Sequence, residues 1–90
     1  MEEVETSYYL RLRVYDRPGV LADITRILAD NHISIDAMLQ KEPQAGEDQV
    51  DIIMLTHLTK EKNVNVAMAK IEDLSSVAGK IMRIRLEELL

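Results

Sequence analysis

The sequence predicts a single α+β domain in which four antiparallel strands form one sheet and two helices cover one of its faces. Three observations lead to this prediction. Segments with alternating apolar residues and segments with apolar residues at helical spacing follow one another in the order β-α-β-β-α-β. The chain has 90 residues, which is enough for one domain and too few for two. Its hydrophobic fraction of 47% is sufficient for a core, which must be aliphatic because Phe and Trp are absent.

The first strand is expected to start at Tyr8, where apolar and polar side chains begin to alternate. Its inward residues would be Tyr8, Leu10, Leu12 and Val14. Residues 1–7 are acidic and unpatterned, so they are expected to be a linker end or disordered lead-in, with the domain spanning 8–90. A helix follows the turn after the strand, with Pro18 in its first turn and Asn31 as a left-handed stop. Its apolar stripe is Val20, Leu21, Ile24, Ile27 and Leu28.

The rest of the chain, from Ile33 onwards, contains three further strand patterns and one further helix pattern. The second strand would present Ile33, Ile35, Ala37 and Leu39 on one face. A third strand over about 49–58 is apolar on both faces, which is typical of a central strand. A second helix begins at about Glu61, with Val64, Ala67, Met68, Ile71 and Leu74 in register. The last strand would place Met82, Ile84 and Leu86 inward and Arg83 and Arg85 outward. With right-handed crossovers, this order predicts a ferredoxin-like βαββαβ sandwich.

The composition argues against several classes of function. The formal net charge of −5 is unfavourable for nucleic-acid binding. The absence of cysteine removes disulfides and thiolate sites and suits a cytoplasmic location. No apolar run is long enough to span a membrane, and no signal segment opens the chain. There is neither a G-x-G-x-x-G nor a P-loop motif, so no nucleotide cofactor is expected in these residues.

The turn between the first strand and the first helix is the strongest candidate for a binding site. It reads Asp16-Arg17-Pro18-Gly19, and Gly19 would let a ligand approach the backbone closely. The helix behind it presents unpaired N–H groups and a partial positive charge, which suit a carboxylate. Asp16 is placed to meet an ammonium group. The corner therefore suits a zwitterionic amino acid, while plain turn chemistry is the alternative interpretation of the same Pro-Gly pair.

The motif Asp16-Arg17-Pro18-Gly19-Val20-Leu21, the amphipathic helix after it and Ile33-Ser34-Ile35 together resemble the signature of ACT domains. The resemblance extends from about residue 8 to residue 86. It implies domains that pair side by side, with an effector between the glycine corner of one subunit and the second strand of its neighbour. The effector contacts that it implies are Asp16, Gly19, Val20, Leu21, Ser34 and Ile35.

Residues 22–29, 33–42, 48–57 and 83–89 are similar to the C-terminal region of bacterial homoserine dehydrogenases. This second resemblance implies a longer, NAD(P)-dependent cytoplasmic enzyme whose dinucleotide-binding and catalytic domains precede Met1. It also implies threonine, the end product of the pathway, as the feedback effector. The catalytic domain of that enzyme and a second ACT domain would be the partners, with no nucleic acid and no membrane among them.

The alternatives to amino-acid sensing are a structural dimerisation module and an autonomous enzyme. Serine-binding ACT domains carry His, Asn and Asn at the positions of Val14, Asp16 and Ser34, and this chain lacks all three. Their absence argues against serine as the effector and leaves open a structural dimerisation module that binds no ligand. An autonomous enzyme has no support, because no nucleophile–base pair and no clustered acid–base set is present, and no catalytic residue is expected.

Four arginines are predicted to share the sheet face away from the helices: Arg11, Arg13, Arg83 and Arg85. Sheets that recognise RNA stack bases on aromatic residues of the third strand, and residues 49–58 contain none. The face is therefore expected to be solvated or to dock against the catalytic domain. His32 and His57, the latter placed on the third strand, lack the spacing of metal ligands, and no metal site is expected.

Overall fold

The computed structural model describes residues 5–41, 46 and 48–86. Its elements are β1 (Glu5–Tyr15), α1 (Val20–Asp30), β2 (Ile35–Gln40), β3 (Gln49–Thr56), β4 (Thr59–Lys60), α2 (Glu61–Glu72) and β5 (Met82–Leu86). All strand pairs are antiparallel. The predicted ferredoxin-like fold is confirmed, with the short β4 as an addition to the four expected strands.

The strand β1 lies at the centre of the sheet. Between Tyr9 and Arg11 it pairs with β3 along one edge and with β5 along the other. β2 borders β3, and β4 pairs with Glu5 and Thr6 at the start of β1. Residues 5–7, expected in the lead-in, are part of β1 because they pair with β4 and β5; residues 1–4 of that lead-in lie outside the described residues.

A single aliphatic core joins one face of the sheet to both helices. The predicted inward residues of β1 are all buried, with exposed fractions of 3% or less. They pack with the core face of β3 and with the buried stripes of the helices, of which Ile24 and Ile71 are completely buried. Helices of 11 and 12 residues are marginal in isolation, so α1 and α2 are stabilised mainly by burial of their apolar stripes and not by intrinsic helix propensity.

Both ends of α1 differ in detail from the expectation. The helix starts at Val20, so Pro18 precedes it instead of lying in its first turn. Asn31 is not the left-handed residue, because its φ is −103° and its amide Nδ2 donates to the carbonyl of Ile27 at 2.8 Å. The left-handed conformation falls on His32, with φ of 61°, and turns the chain towards β2.

A β-bulge between Ile35 and Ala37 changes the orientation of β2. Ile33 is buried as predicted and Ile35 packs partly against the core, where it pairs with the buried Thr56. After the extra residue, Ala37 and Leu39 pair with the opposite face of β3, and Leu39 is 57% exposed. The prediction that Ile33, Ile35, Ala37 and Leu39 share one face is therefore wrong beyond Ile35, because one inserted residue reverses the alternation.

The predicted orientation of the last strand is also wrong. Arg83 and Arg85 pair directly with Leu10 and Tyr8, which point towards the helices. Residues directly opposite each other in an antiparallel pair share a face, so both arginines lie on the helix side. Arg83 is exposed and lines a small cleft beside α2, together with Asn65, Met68, Ala69, Glu72 and Ile81. Met82, Ile84 and Leu86 point to the other face of the sheet, away from the helices.

The third strand is central as predicted, between β2 and β1, but it ends at Thr56. The sequence pattern places His57 and Leu58 on this strand, but both residues follow it and are exposed. The pairing of β4 is offset by one residue from that of β3, so the chain bends between the two strands.

Candidate ligand-binding site

The corner between β1 and α1 is held in one conformation by backbone hydrogen bonds. The amide of Asp16 donates to the carbonyl of Asp48 at 2.8 Å, and the amide of Arg17 donates to the carbonyl of Tyr15 at 2.9 Å. The guanidinium of Arg17 lies 4.9 Å above the ring of Tyr15, a cation–π contact. These contacts fix the backbone of the corner and position the side chain of Arg17.

Segment 76–78 supports the same corner from the far side of β1. The amide of Tyr15 donates to the carbonyl of Ser76, and the amide of Ala78 donates to the carbonyl of Arg13, both at 2.8 Å. Val14 also forms an isolated bridge with Val77. The end of β1 is therefore fixed on both edges where it enters the corner.

Gly19 is the N-cap residue of α1 and adopts the left-handed conformation, with φ of 85° and ψ of −9°. No heavy atom lies within 4 Å of the position that a Cβ would take there. A side chain at this position would therefore be strained by the backbone angle and not by crowding within the protein. The space in front of the glycine is open to a ligand.

The first turn of α1 presents unsatisfied backbone donors. No side chain caps the helix, and the amides of Leu21 and Ala22 have no acceptor within the described part of the chain. The next amide, that of Asp23, donates to the carbonyl of Gly19 at 3.0 Å. Free N–H groups and the positive end of the helix dipole together favour an anion at this position.

A cavity of about 160 Å³ opens in front of this turn. Its lining comprises Val14, Tyr15, Asp16, Arg17, Gly19, Val20, Leu21, Ala22, Gln40, Val50 and Ile52. The floor is apolar, because Val14, Val50 and Ile52 are core residues. The polar side chains at the rim are those of Asp16, Arg17, Tyr15 and Gln40. An apolar floor with a few convergent polar groups is the usual form of a small-molecule site.

Four of the six predicted site residues therefore lie around one cavity: Asp16, Gly19, Val20 and Leu21. Ser34 and Ile35 do not join them within the same chain. They line a separate open groove, together with Thr25, Ala29, His32 and Ile33, at the other end of α1. A helix of 11 residues is about 16 Å long, so the two groups are well separated.

Gln40 is a cavity residue that the sequence analysis did not identify. The alternation of β2 placed it on the polar, outward face, but the bulge turns it to the helix side, opposite Ile52. Val50 and Ile52 were predicted as strand residues with no role at the site. Placing Gln40, Val50 and Ile52 at the cavity requires the register between β2 and β3, and a single sequence does not specify that register.

The predicted face of four arginines is not present. Arg11 and Arg13 lie on the sheet face away from the helices, and both contact Asp51, with nitrogen–oxygen distances of 2.8 and 3.0 Å. The hydrogen bond from Arg11, followed by the charges of both arginines, holds the pKa of Asp51 below its ordinary value, although partial desolvation opposes the shift. Arg83 and Arg85 are on the opposite face because of the register of β5.

The histidines do not form a metal-binding group with other described residues. Nε2 of His57 lies 3.6 Å from Oδ1 of Asp36, and both side chains are mostly exposed. Across residues 5–41, 46 and 48–86, no set of three His, Cys, Asp or Glu side chains is arranged to hold a metal ion. Neither helix in this part of the chain is long and apolar enough to cross a membrane.

Comparison with known proteins agrees with the fold. The ACT domain family model matches residues 8–76. A homoserine dehydrogenase of Methylobacillus glycogenes is 64% identical over 87 residues, which are 97% of this chain and 21% of that protein. The crystal structure of a homoserine dehydrogenase from Thiobacillus denitrificans superposes with a TM-score of 0.85 at 70% identity, over 97% of this chain and 19% of that one.

A more distant structure shows the fold alone. The ACT domain of a GTP pyrophosphokinase from Chlorobium tepidum superposes with a TM-score of 0.69 at 14% identity, over 89% of this chain and 99% of that one. The present chain spans about a fifth of the length of the homoserine dehydrogenases that it matches. With the family match over most of its length, the glycine corner and the βαββαβ sheet, the chain belongs to the ACT domain family.

Proposed function

We propose that this domain binds a free amino acid at the cavity in front of α1 and regulates a longer protein through that binding. The observation that supports the proposal is the uncapped first turn of α1, whose residues Leu21 and Ala22 line the same cavity as Asp16. A ligand with a carboxylate and an ammonium group a few ångströms apart complements both features. No catalytic role is assigned to any residue of the domain.

The cavity fits the parts of a small amino acid. The ligand carboxylate would accept from the amides of Leu21 and Ala22, and its ammonium group would lie against Asp16. The side chain would contact the apolar floor and Gln40. At about 30 Å³ per water molecule, 160 Å³ corresponds to roughly five waters, which is the scale of a small side chain plus its backbone groups.

Threonine is the effector that we propose, and the longer protein is a homoserine dehydrogenase of the cytoplasm. The support is the 64% identity with such an enzyme over nearly the whole chain. The branched side chain of threonine offers a methyl group for the apolar floor and a hydroxyl for the amide of Gln40. The nicotinamide cofactor and the catalytic groups of the enzyme would belong to the remaining four-fifths of its length.

The second half of the effector contact would come from a paired ACT domain, through Ser34 and Ile35. Both residues line an exposed groove away from the cavity of their own chain, so they are accessible to a neighbour. Binding across such a seam would favour one arrangement of the pair over another. Allosteric coupling of this kind is typically about 1–3 kcal/mol.

Titration calorimetry of this chain against the twenty amino acids tests the proposal. We expect threonine to bind, and Asp16→Asn to weaken its binding at least tenfold by removing the charge that faces the ammonium group. Asp30→Asn is the matched control, because Asp30 is exposed at the far end of α1 and should leave binding unchanged. Equal affinities for wild type and Asp16→Asn would contradict the assignment of Asp16.

The alternative function is a structural dimerisation module. The absence of the His and Asn side chains that serine-binding ACT domains carry at the positions of Val14, Asp16 and Ser34 favours it. It predicts a dimer in sedimentation experiments and no heat of binding with any amino acid at millimolar concentration. A ligand-induced rise in melting temperature would exclude this alternative, since a ligand that binds only the folded state must stabilise it.

A further inference from the structure

The strand β5 lies at one edge of the sheet. It pairs with β1, and within the described part of the chain no other strand lies beyond it. All five of its residues are exposed. An edge strand presents a row of backbone N–H and C=O groups that have no partner in the sheet. An extended segment of another chain can therefore add to the sheet at β5.

The pairing of β1 shows which backbone groups of β5 are free. The amide of Tyr8 donates to a threonine hydroxyl at the end of β3, so Tyr8 directs its backbone groups towards β3. Successive residues of a strand direct these groups to opposite edges, so Tyr9 directs its own towards Ile84, its partner on β5. Alternate residues of β5, starting from Ile84, are thus bonded to β1. The groups at the free edge belong to the two residues on either side of Ile84, which are Arg83 and Arg85.

The side chains of Arg83 and Arg85 add positive charge at this edge. Both are exposed and lie on the helix side of the sheet. Among residues 5–41, 46 and 48–86, no carboxylate lies within ion-pair distance of either guanidinium. Two positive charges, two residues apart, therefore lie directly beside the free backbone groups.

The same edge is already closed by a carboxylate at its start. Oε2 of Glu72, the last residue of α2, accepts from the amide of Ile81 at 2.8 Å. A cleft of about 250 Å³ separates α2 from the edge, and it is lined by Asn65, Met68, Ala69, Glu72, Ile81 and Arg83. The edge is thus occupied at Ile81 and open at the two arginines, and the cleft leaves room for side chains on the helix side.

From this arrangement we infer that β5 binds an extended acidic segment of a partner protein as an added antiparallel strand. Residues opposite Arg83 and Arg85 would lie on the helix side, where two acidic side chains pair with the two guanidinium groups. The residue between them would lie on the other face beside Ile84, which is 49% exposed, and would be apolar. A basic residue opposite Ile81 would lie near Glu72. The expected pattern is acidic, apolar, acidic, apolar, basic.

A second copy of β5 does not fit the same edge. Antiparallel pairing over the full length of two copies would set Arg83 of each copy opposite Arg85 of the other, and like charges directly opposite are destabilising. An acidic strand reverses the sign of that contact. Its affinity would come from main-chain hydrogen bonds and two charge pairs, so it needs no large apolar patch. The edge shares no residue with the cavity at Gly19, so this inference does not depend on amino-acid binding.

An NMR titration of this chain, isotope-labelled, with the end-blocked peptide Glu-Val-Glu-Val-Lys tests the inference. We expect the amide signals of Arg83 and Arg85 to shift and their hydrogen exchange to slow, because the added strand bonds these amides. The peptide Glu-Glu-Val-Val-Lys has the same composition and charge, but its two acidic side chains lie on opposite faces of a strand. It should bind at least about fivefold more weakly. Equal affinities would show that charge alone attracts the peptides, and absence of binding would show that the arginines only guard the edge; either result overturns the proposal.

Substitution of Arg83 tests the charge pairing. Arg83→Glu should weaken binding of Glu-Val-Glu-Val-Lys at least about fivefold, whereas Arg83→Lys keeps the charge and should bind within about twofold of wild type. Arg26→Glu is the matched control, because Arg26 is exposed on α1 and makes the same change in net charge. If Arg83→Glu and Arg26→Glu bind the peptide equally well, Arg83 takes no part and the proposal is wrong. Melting curves of each variant check that the fold is intact.

Discussion

Gly19 offers the sharpest test of the candidate site, because the chain contains a second glycine in the same conformation. The φ angles of Gly19 and Gly79 are 85° and 86°, and neither glycine has a heavy atom within 4 Å of its missing Cβ. An alanine in the left-handed region costs about 1–2 kcal/mol, and the lower entropy of its unfolded chain returns about 0.4–1 kcal/mol. Gly19→Ala and Gly79→Ala should therefore each destabilise the fold by about 1 kcal/mol.

Binding should distinguish the two variants even though their stabilities do not. Only Gly19 lines the cavity, and a methyl group there occupies the space through which a carboxylate approaches the first turn of α1. We expect Gly19→Ala to weaken threonine binding at least tenfold, which is about 1.4 kcal/mol, and Gly79→Ala to leave it unchanged. Calorimetry measures the binding, and thermal melting measures the stability.

Two results would refute this reasoning. If Gly19→Ala binds threonine as wild type does, the ligand does not approach the backbone at this corner. If both variants lose binding equally, the loss reflects stability and not the site. Melting temperatures should fall by about 4–8 °C in both variants, as expected for 1 kcal/mol in a domain of this size.

Three further predictions concern the core, the sheet and the cavity. Leu12→Ala, at a completely buried position, should cost about 2–5 kcal/mol in chemical denaturation, whereas Leu39→Ala should cost far less. Folding lowers the pKa of Asp51, so the stabilising effect of its carboxylate is present above the unfolded pKa and is lost as the pH falls through the folded pKa. The difference in the free energy of unfolding between wild type and Asp51→Asn should therefore vanish below the folded pKa. Gln40→Leu should reduce the preference for threonine over valine in calorimetry, and an unchanged preference would remove Gln40 from the hydroxyl contact.

The sequence predicted the core of this domain well because its signals are local. The inward residues of β1 and the stripe of α1 follow directly from period-2 and period-3.6 patterns. The corner at Gly19 was also predictable, since a Pro-Gly pair before an amphipathic helix marks both a turn and a helix start. Each of these signals depends on neighbours within a few residues along the chain.

What the sequence did not predict depends on pairing between distant strands. The bulge after Ile35 is one residue long, yet it moves Gln40 into the cavity and Leu39 onto the sheet face away from the helices. In β5, alternation separates Met82 and Ile84 from Arg83 but does not determine which group faces the helices. The end of α1 is a local exception, where the side chain of Asn31 donates to the carbonyl of Ile27 and the left-handed residue is the next one, His32.

The double pairing of β1 limits how a signal can leave the cavity. Val14 and Tyr15 border the cavity, and the same strand continues through the centre of the sheet to Glu5. A strand bonded along both edges cannot slide past its neighbours without breaking two ladders at once. We therefore expect the proposed effector to move the sheet as one unit and not to shift β1 alone.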